Sequence, residues 1–213
     1  MLAEYISEKM SGSSWIRAMF EEGEKLRKIY GADKVYDFSL GNPDLEPPEG
    51  VKKALIRLAE SEEPNLHKYM SNAGFPDVRA KVAANIRRET GIPLSGKHII
   101  MSCGAAGGLN VVLKTILNPG EEVIVFSPFF VEYLAYIENH GGKPVLSPCN
   151  TETFEPDLSD LEKRITSSTK AIILNSPNNP TGVIYSSAIL KKMAELIKKK
   201  ETEYRTNILV ISD

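Results

Sequence analysis

Short apolar runs without polar alternation follow one another from residue 98 to the end of the chain. Their sequences are HIIMSC, EVIVF, KPVLS, AIILN and ILVIS, and uninterrupted runs of this kind are typical of strands that are buried on both faces of a sheet. Helical segments lie between most of them, at residues 107–117, 130–139, 158–165 and 187–200. This alternation predicts an α/β fold with a largely parallel sheet.

The first half of the chain favours helices and a proline-rich loop. Apolar residues recur at roughly helical spacing up to Gly31, with Ser13 or Ser14 as the cap, and further helices are predicted at residues 49–59 and 76–90. Before the second helix, the segment VYDFSLGNPDLEPP predicts a short apolar strand that breaks into a loop.

Composition narrows the class of protein. The chain has 213 residues, 42% of them hydrophobic and 25% charged, and a formal net charge of −2. So small a charge gives no reason to expect nucleic acid or an anionic membrane as a partner, and no apolar run approaches the roughly 20 residues of a membrane helix. Two cysteines and three scattered histidines predict neither a metal site nor a disulfide framework. The first residues lack the features of a signal peptide, so we expect a cytoplasmic protein.

Small residues join a predicted strand to a predicted helix in MSCGAAGGLN. Gly104, Ala105 and Ala106 leave the backbone N–H groups of the helix start unobstructed, which favours a phosphate site. A turn that merely allows close packing explains these residues as well. The segment matches neither a P-loop nor the G-x-G-x-x-G pattern.

Aromatic residues cluster after the next strand, in VFSPFFVEY. Phe129, Phe130 and Tyr133 can all belong to the core, which is the usual place for such rings. The alternative is that one of them stacks on a flat aromatic ligand.

A polar loop follows a buried strand in AIILNSPNNPTGVIY. Residues 175–181 are all polar or turn-forming, and Gly182 closes the loop. Two prolines and three asparagines are more than a plain turn requires, and they predict a rigid loop whose side-chain amides point in set directions.

Asp213 follows the last apolar run, ILVIS. A carboxylate at the end of a buried strand is costly unless it is paired or hydrogen-bonded. We therefore expect it either to cap a following helix or to hold a cationic ring nitrogen.

Taken in this order, the motifs resemble those of the class I/II aminotransferases, which are pyridoxal phosphate (PLP) enzymes of fold type I. SPNNPTG is the sharpest match, and SLGNPDLEPP, HKYMSNAGFPDVRAKVA, GEEVIVFSPFFVEY and VISD agree with it. The likeness runs from about Ser14 to Asp213 and is closest to bacterial aspartate aminotransferases. It implies an incomplete three-layer α/β/α fold, with residues 1–45 in the small domain and residues 46–213 in part of the large, PLP-binding domain. It also implies a homodimer.

The resemblance assigns contacts to the cofactor phosphate and to the substrate. Tyr69 matches the tyrosine that reaches the phosphate of the other subunit, and Gly104, Ala105 and Ala106 match the residues whose backbone holds that phosphate. Gly41 lies where relatives contact the substrate carboxylate.

Three further residues match contacts to the cofactor ring. Phe130 corresponds to the ring stacked on the pyridine, where Trp or Tyr is frequent. Asn179 corresponds to the asparagine at the ring hydroxyl, and Asp213 to the aspartate at the ring nitrogen, which favours the protonated ring.

The resemblance implies transamination between an amino acid, with aspartate favoured, and a 2-oxo acid. In the family the Schiff-base lysine follows the VISD aspartate, so no catalytic residue is expected among these 213 residues, and the chain alone is expected to be inactive. Two alternatives remain: another fold-type I enzyme, such as a C–S β-lyase or a relative of aminocyclopropane-carboxylate synthase, or a non-catalytic fragment.

Overall fold

The computed structural model describes residues 2–4, 6–7, 14–36, 38, 41, 45–64 and 66–213, without the side chains of residues 14–18 and 20. The possible cap at Ser13 therefore lies outside the described residues. The chain divides into two compact units, residues 1–67 and residues 68–213. Each is described by itself, and the assignment of residues 1–45 to a small domain stays a prediction.

Residues 1–67 contain the two helices that the sequence predicts there. Helix α1 spans Ser14–Tyr30 and helix α2 spans Glu49–Ala59, with a 3-10 turn at Ala32–Lys34 between them. None of the side chains described in this unit is buried. The predicted strand after the turn is not found in the described part of its segment: Val35, Tyr36 and Phe38 belong to no strand, because a strand requires a hydrogen-bonded neighbour and not apolar residues alone.

Residues 68–213 alternate between helices and strands. The helices are α3 Pro76–Thr90, α4 Gly104–Ile116, α5 Glu132–Glu138, α6 Leu158–Arg164 and α7 Ser187–Tyr204, with a 3-10 turn at Gly96–His98. The strands are β1 Glu122–Ser127, β2 Lys143–Pro148, β3 Thr169–Leu174 and β4 Leu209–Ser212.

Local signals set the bounds of several helices. Helix α3 begins with Pro76 and ends at Gly91, whose φ of 73° is left-handed, and both residues favour those places. The carboxylate of Asp157 caps α6 by accepting hydrogen bonds from the backbone N–H groups of Ser159 and Asp160, at 2.8 and 3.2 Å.

The four strands form one parallel sheet in the order β2-β1-β3-β4. Val125 of β1 pairs with Ile173 of β3, and Leu174 of β3 pairs with Ser212 of β4. All strands therefore end at the same edge of the sheet.

Helices cover both faces of this sheet. One core cluster joins α4 and α5 to the sheet (Leu109, Leu113, Val123, Val125, Tyr133, Ile137, Ala171, Ile173, Ile211). The other joins α6 and α7 to the opposite face (Ile124, Phe126, Cys149, Leu161, Ile165, Ile172, Met193, Ile197, Ile208). Successive residues of a strand point to opposite faces, so β1 supplies Val123 and Val125 to one cluster and Ile124 and Phe126 to the other. The predicted three-layer α/β/α arrangement is confirmed.

Two details of the predicted strands are wrong. The run HIIMSC forms no strand: His98 belongs to the 3-10 turn and Ile99 is extended, and the Met101 N–H donates a hydrogen bond of 3.0 Å to the Ala73 carbonyl. The runs KPVLS and ILVIS are strands but are not buried on both faces, since they form the two edges of the described sheet. In β4 only Ile211 is buried, and Leu209 is 46% exposed.

Candidate functional site

Three strands bring polar and aromatic residues to one edge of the sheet. Strand β1 leads into Phe129 and Phe130, β3 leads into Asn175, and β4 leads into Asp213. The carboxyl ends of parallel strands are the usual place for a ligand in an open α/β sheet. The sequence motifs after these strands therefore meet at the edge where such a site is expected.

Tyr133 links two of the predicted site residues. Its hydroxyl donates a hydrogen bond to the carboxylate of Asp213, and its ring packs edge-on against Phe130, with centroids 5.5 Å apart and planes at 80°. The tyrosine is 1% exposed, and burial, followed by the bond to Asp213, raises its pKa. The hydroxyl therefore remains a donor over the ordinary pH range.

Asp213 is hydrogen-bonded as expected, but it is exposed rather than buried. Besides its bond from Tyr133, it donates its backbone N–H to the carbonyl of Leu174 at 2.9 Å. The carboxylate lies exposed beside β4, which is an edge strand. Tyr133 donates to one carboxylate oxygen, Oδ2, and the other oxygen accepts no hydrogen bond from the described residues.

The polar loop after β3 is closed by Asn178, which is 6% exposed. Its side-chain oxygen accepts hydrogen bonds from the hydroxyl and the backbone N–H of Thr181, at 2.9 and 3.3 Å. Its backbone N–H donates to the Val183 carbonyl at 2.9 Å, and its carbonyl accepts from Gly182 at 2.6 Å. Asn178 thus bonds to its own turn, as asparagine commonly does, and the rigidity expected from the prolines and asparagines of this loop stays a prediction.

Asn179 lies differently in the same loop. Its backbone N–H donates to the side-chain oxygen of Asn175 at 2.5 Å. Its own side chain is exposed, and within the described part of the chain its amide makes no hydrogen bond. Asn179 thus keeps a donor and an acceptor for a ligand, as its predicted role requires.

Tyr185 contacts the loop at two residues, Ser176 and Asn178. It is 4% exposed, its backbone N–H donates to the Ser176 hydroxyl at 2.9 Å, and its hydroxyl accepts from the Asn178 amide at 3.4 Å. Together with its neighbours it lines a shallow, partly open pocket (Val125, Phe126, Phe129, Tyr133, Ile173, Asn175, Asn178, Tyr185). The pocket is therefore formed by the carboxyl ends of β1 and β3 and by residues that follow them.

The first turn of α4 is open. Gly104, Ala105 and Ala106 are exposed, and no side chain caps the helix start in the described chain. Gly104 has a φ of 72°, and a Cβ added there would meet no atom within 4 Å. The Gly104 N–H donates to the Ser102 carbonyl at 3.1 Å, which leaves the N–H groups of Ala105 and Ala106 for an anion. Helix α4 packs in the same core cluster as Tyr133.

The predicted site residues are only partly brought together. Tyr133 connects Phe130 and Asp213, and Asn179 belongs to the loop beside them. Tyr69 is fully exposed, and Gly41 lies in the other unit, also exposed. The individual roles of these residues and of the α4 turn stay predictions.

Sequence reasoning missed three residues of the site. It grouped Tyr133 with the aromatic cluster without pairing it with Asp213, it singled out Asn179 but not Asn178, and it ignored Tyr185. The available signal for Asn178 was its spacing to Thr181, which suits an asparagine-capped turn.

The sheet and its edge define a class of protein: a three-layer α/β protein with carboxylate, amide and aromatic groups at the carboxyl edge of its sheet, where proteins of this class usually bind a ligand. No group of acidic, histidine or cysteine residues suited to a metal ion occurs in the described part of the chain. No helix among the described residues is long and apolar enough to cross a membrane.

Comparison with known proteins identifies the family. The model of the family "Aminotransferase class I and II" matches residues 33–207, which is most of the chain. The chain therefore belongs to the class I and II aminotransferases.

Individual relatives agree with this assignment. The chain is 36% identical over 180 residues to a probable aspartate/prephenate aminotransferase of Aquifex aeolicus, covering 84% of this chain and 43% of that protein. It is 32% identical over 209 residues to the aspartate aminotransferase of Thermotoga maritima, covering 98% and 51%. The chain thus spans about half the length of the curated relatives that it matches.

A solved structure shows the same fold. An aminotransferase from Eubacterium rectale superimposes with a TM-score of 0.93 at 34% identity, covering all of this chain and 54% of that one. The described sheet and helices are therefore part of an aminotransferase fold, as the sequence motifs predicted.

Proposed function

We propose that this chain supplies the PLP-binding part of an enzyme that transfers an amino group between an amino acid, with aspartate favoured, and a 2-oxo acid. The observation that carries the proposal is the Asp213 carboxylate at the sheet edge, which is held by buried Tyr133 and has an exposed face. The names of the relatives, aspartate and aspartate/prephenate aminotransferase, support the choice of aspartate.

The groups at the edge fit PLP by their chemistry. Asp213 offers a carboxylate for the ring nitrogen, Asn179 an amide for the ring hydroxyl, and Phe130 an aromatic face for the ring. The N–H groups of Ala105 and Ala106 offer an uncapped helix start for the phosphate.

When bound, PLP supplies an electron sink that acidifies the Cα–H of an amino acid. The contribution of this chain is to bind and orient. Asp213 stabilises a proton on the ring nitrogen because a nearby carboxylate favours a cation. Tyr133 keeps that carboxylate in place. Phe130 would offer its ring to one face of the bound cofactor, and the loop closed by Asn178 would limit the directions open to the Asn179 amide.

Homodimerisation and substrate contacts form part of the same proposal. Tyr69 is fully exposed, which suits a residue that contacts the phosphate of a second subunit. Gly41 is proposed as the backbone contact of the substrate carboxylate.

The experiment measures transamination and PLP binding by the whole protein that its gene encodes. We expect aspartate with 2-oxoglutarate to be turned over faster than alanine or an aromatic donor, and Asp213→Asn to lose most of the activity. The matched control is Glu152→Gln, an exposed carboxylate outside the pocket lining. An enzyme that releases ammonia and pyruvate from sulfur amino acids, without amino transfer, would overturn the proposal.

We further propose that the 213-residue chain by itself does not transaminate. No lysine is among the residues of this chain that are proposed to hold PLP, which are Ala105, Ala106, Phe130, Asn179 and Asp213, and covalent catalysis on PLP requires one. Borohydride reduction of the chain after incubation with PLP, followed by peptide mass analysis, is expected to show no site-specific PLP–lysine. Stoichiometric labelling of one lysine would contradict this.

A further inference from the structure

We infer that Asn178 and Tyr185 are positioning residues that fix the direction of the Asn179 side chain, and thereby the affinity of the site for PLP. The inference rests on the proposed function, because Asn179 is proposed there as the ligand of the ring hydroxyl. Neither Asn178 nor Tyr185 is assigned any contact with PLP itself.

The two adjacent asparagines have opposite environments. Asn178 is 6% exposed, and its side-chain oxygen accepts a hydrogen bond from Thr181. Asn179 is exposed, and its side-chain amide makes no hydrogen bond within the described part of the chain. The backbone of Asn178 closes the turn, and the backbone N–H of Asn179 donates to the Asn175 side-chain oxygen at 2.5 Å. The main chain of Asn179 is therefore attached on one side to the residue that closes the turn, and this limits the directions open to its side chain.

The closing end of the loop, residues 181–183, is attached to Asn178. Its backbone bonds to Gly182 and Val183 close the turn, at 2.6 and 2.9 Å, and its side chain repeats that closure through Thr181. Removal of the side chain leaves the backbone bonds but releases Thr181. The expected result is a looser loop in an otherwise folded protein.

Tyr185 restrains Asn178 from the sheet side. Its hydroxyl accepts from the Asn178 amide at 3.4 Å, and the tyrosine is 4% exposed. Its backbone N–H also reaches Ser176 at the start of the loop. A buried side chain with contacts at both ends of the bond network is suited to hold the loop in one conformation.

A double-mutant cycle on the apo form of the whole protein tests this inference. PLP dissociation constants are measured for Asn179→Ala, Asn178→Ala and the double variant, with folding checked by circular dichroism. We expect each single variant to raise the constant about three- to tenfold, the size of one hydrogen bond. We expect the double variant to bind PLP no more weakly than Asn179→Ala, because Asn178 acts only through Asn179.

The matched control is Asn150→Ala. Asn150 closes a different turn by accepting from the N–H groups of Glu152 and Thr153, at 2.8 and 2.9 Å, and it does not line the pocket. We expect it to leave PLP affinity unchanged. Should Asn178→Ala fail to fold, Tyr185→Phe is measured in the same cycle, since it keeps the buried ring and removes only the hydroxyl.

Two results would overturn the inference while leaving the proposed function intact: Asn178→Ala with wild-type affinity, or effects of Asn178→Ala and Asn179→Ala that multiply in the double variant. The second result would show that the two asparagines act independently. A wild-type protein that binds no PLP overturns the proposed function, and the inference with it.

Discussion

The hydrogen bond from Tyr133 to Asp213 joins two residues that are 80 positions apart in sequence, and Tyr133→Phe removes it without removing the buried ring. A hydrogen bond to a charged group contributes roughly 1.5–3 kcal/mol. Asp213 is exposed and regains water when the bond is lost, so we expect the lower end of that range, about 1.5 kcal/mol. With a urea slope of about 2–3 kcal/mol/M, the midpoint of unfolding falls by roughly 0.5 M.

Tyr136→Phe is the matched control for this measurement. Its hydroxyl also donates to a carboxylate, that of Glu132, but the two residues are one turn apart on α5 and the bond is exposed. We expect it to cost less than about 0.5 kcal/mol. Urea unfolding of the apoprotein and titration with PLP are carried out on both variants, and only Tyr133→Phe is expected to weaken PLP binding, by about threefold or more. Equal losses of stability and affinity in the two variants would refute the reasoning.

Two further predictions concern the fold. Gly142→Ala would place a Cβ 2.9 Å from Cγ2 of Ile137 and should destabilise the protein by about 1–3 kcal/mol. Gly50 lies on α2, and a Cβ added there would have nothing within 4 Å, so Gly50→Ala should be neutral or stabilising by up to about 1 kcal/mol. Thermal melting of both variants checks this. The guanidinium of Arg164 donates to Asp160 at 2.5 Å and lowers the pKa of that carboxyl below its ordinary value. The wild-type protein should therefore be more stable than Asp160→Asn at neutral pH. This difference in stability should vanish as the pH falls through the depressed pKa, below about 4. An advantage of wild type that persists at pH 2 would contradict this assignment.

The strands were predictable where the pattern alone determines the outcome. The apolar runs of β1 and β3 are buried on both faces, as continuous hydrophobic runs favour. The order of the sheet is not encoded in those runs, so the pattern could not show that β2 and β4 form the described edges. The prediction of a strand at residues 98–103 was wrong for a related reason, since apolar residues alone do not supply a neighbouring strand.

The site was predictable at the level of motifs but not of contacts. The residues that follow β1, β3 and β4 predicted a ligand site at one edge of the sheet, because parallel strands end at the same edge. The partner of Asp213 could not be found by spacing, since Tyr133 looked like any other core ring of its helix. Nor could sequence separate the roles of Asn178 and Asn179, which differ in burial and not in residue type.

Three of the residues that are proposed to face PLP have a buried neighbour. Asp213 and Phe130 share Tyr133, and Asn179 follows Asn178, which is buried beneath it. Precise binding requires such supporting contacts, because a side chain on a loop loses affinity when it samples other directions. Substitution of a buried neighbour should therefore lower the affinity for PLP in part, whereas substitution of a residue that faces PLP should remove its contact with PLP completely. Comparison of the PLP affinities of the two kinds of variant therefore separates the effect of side-chain position from the effect of direct contact with PLP.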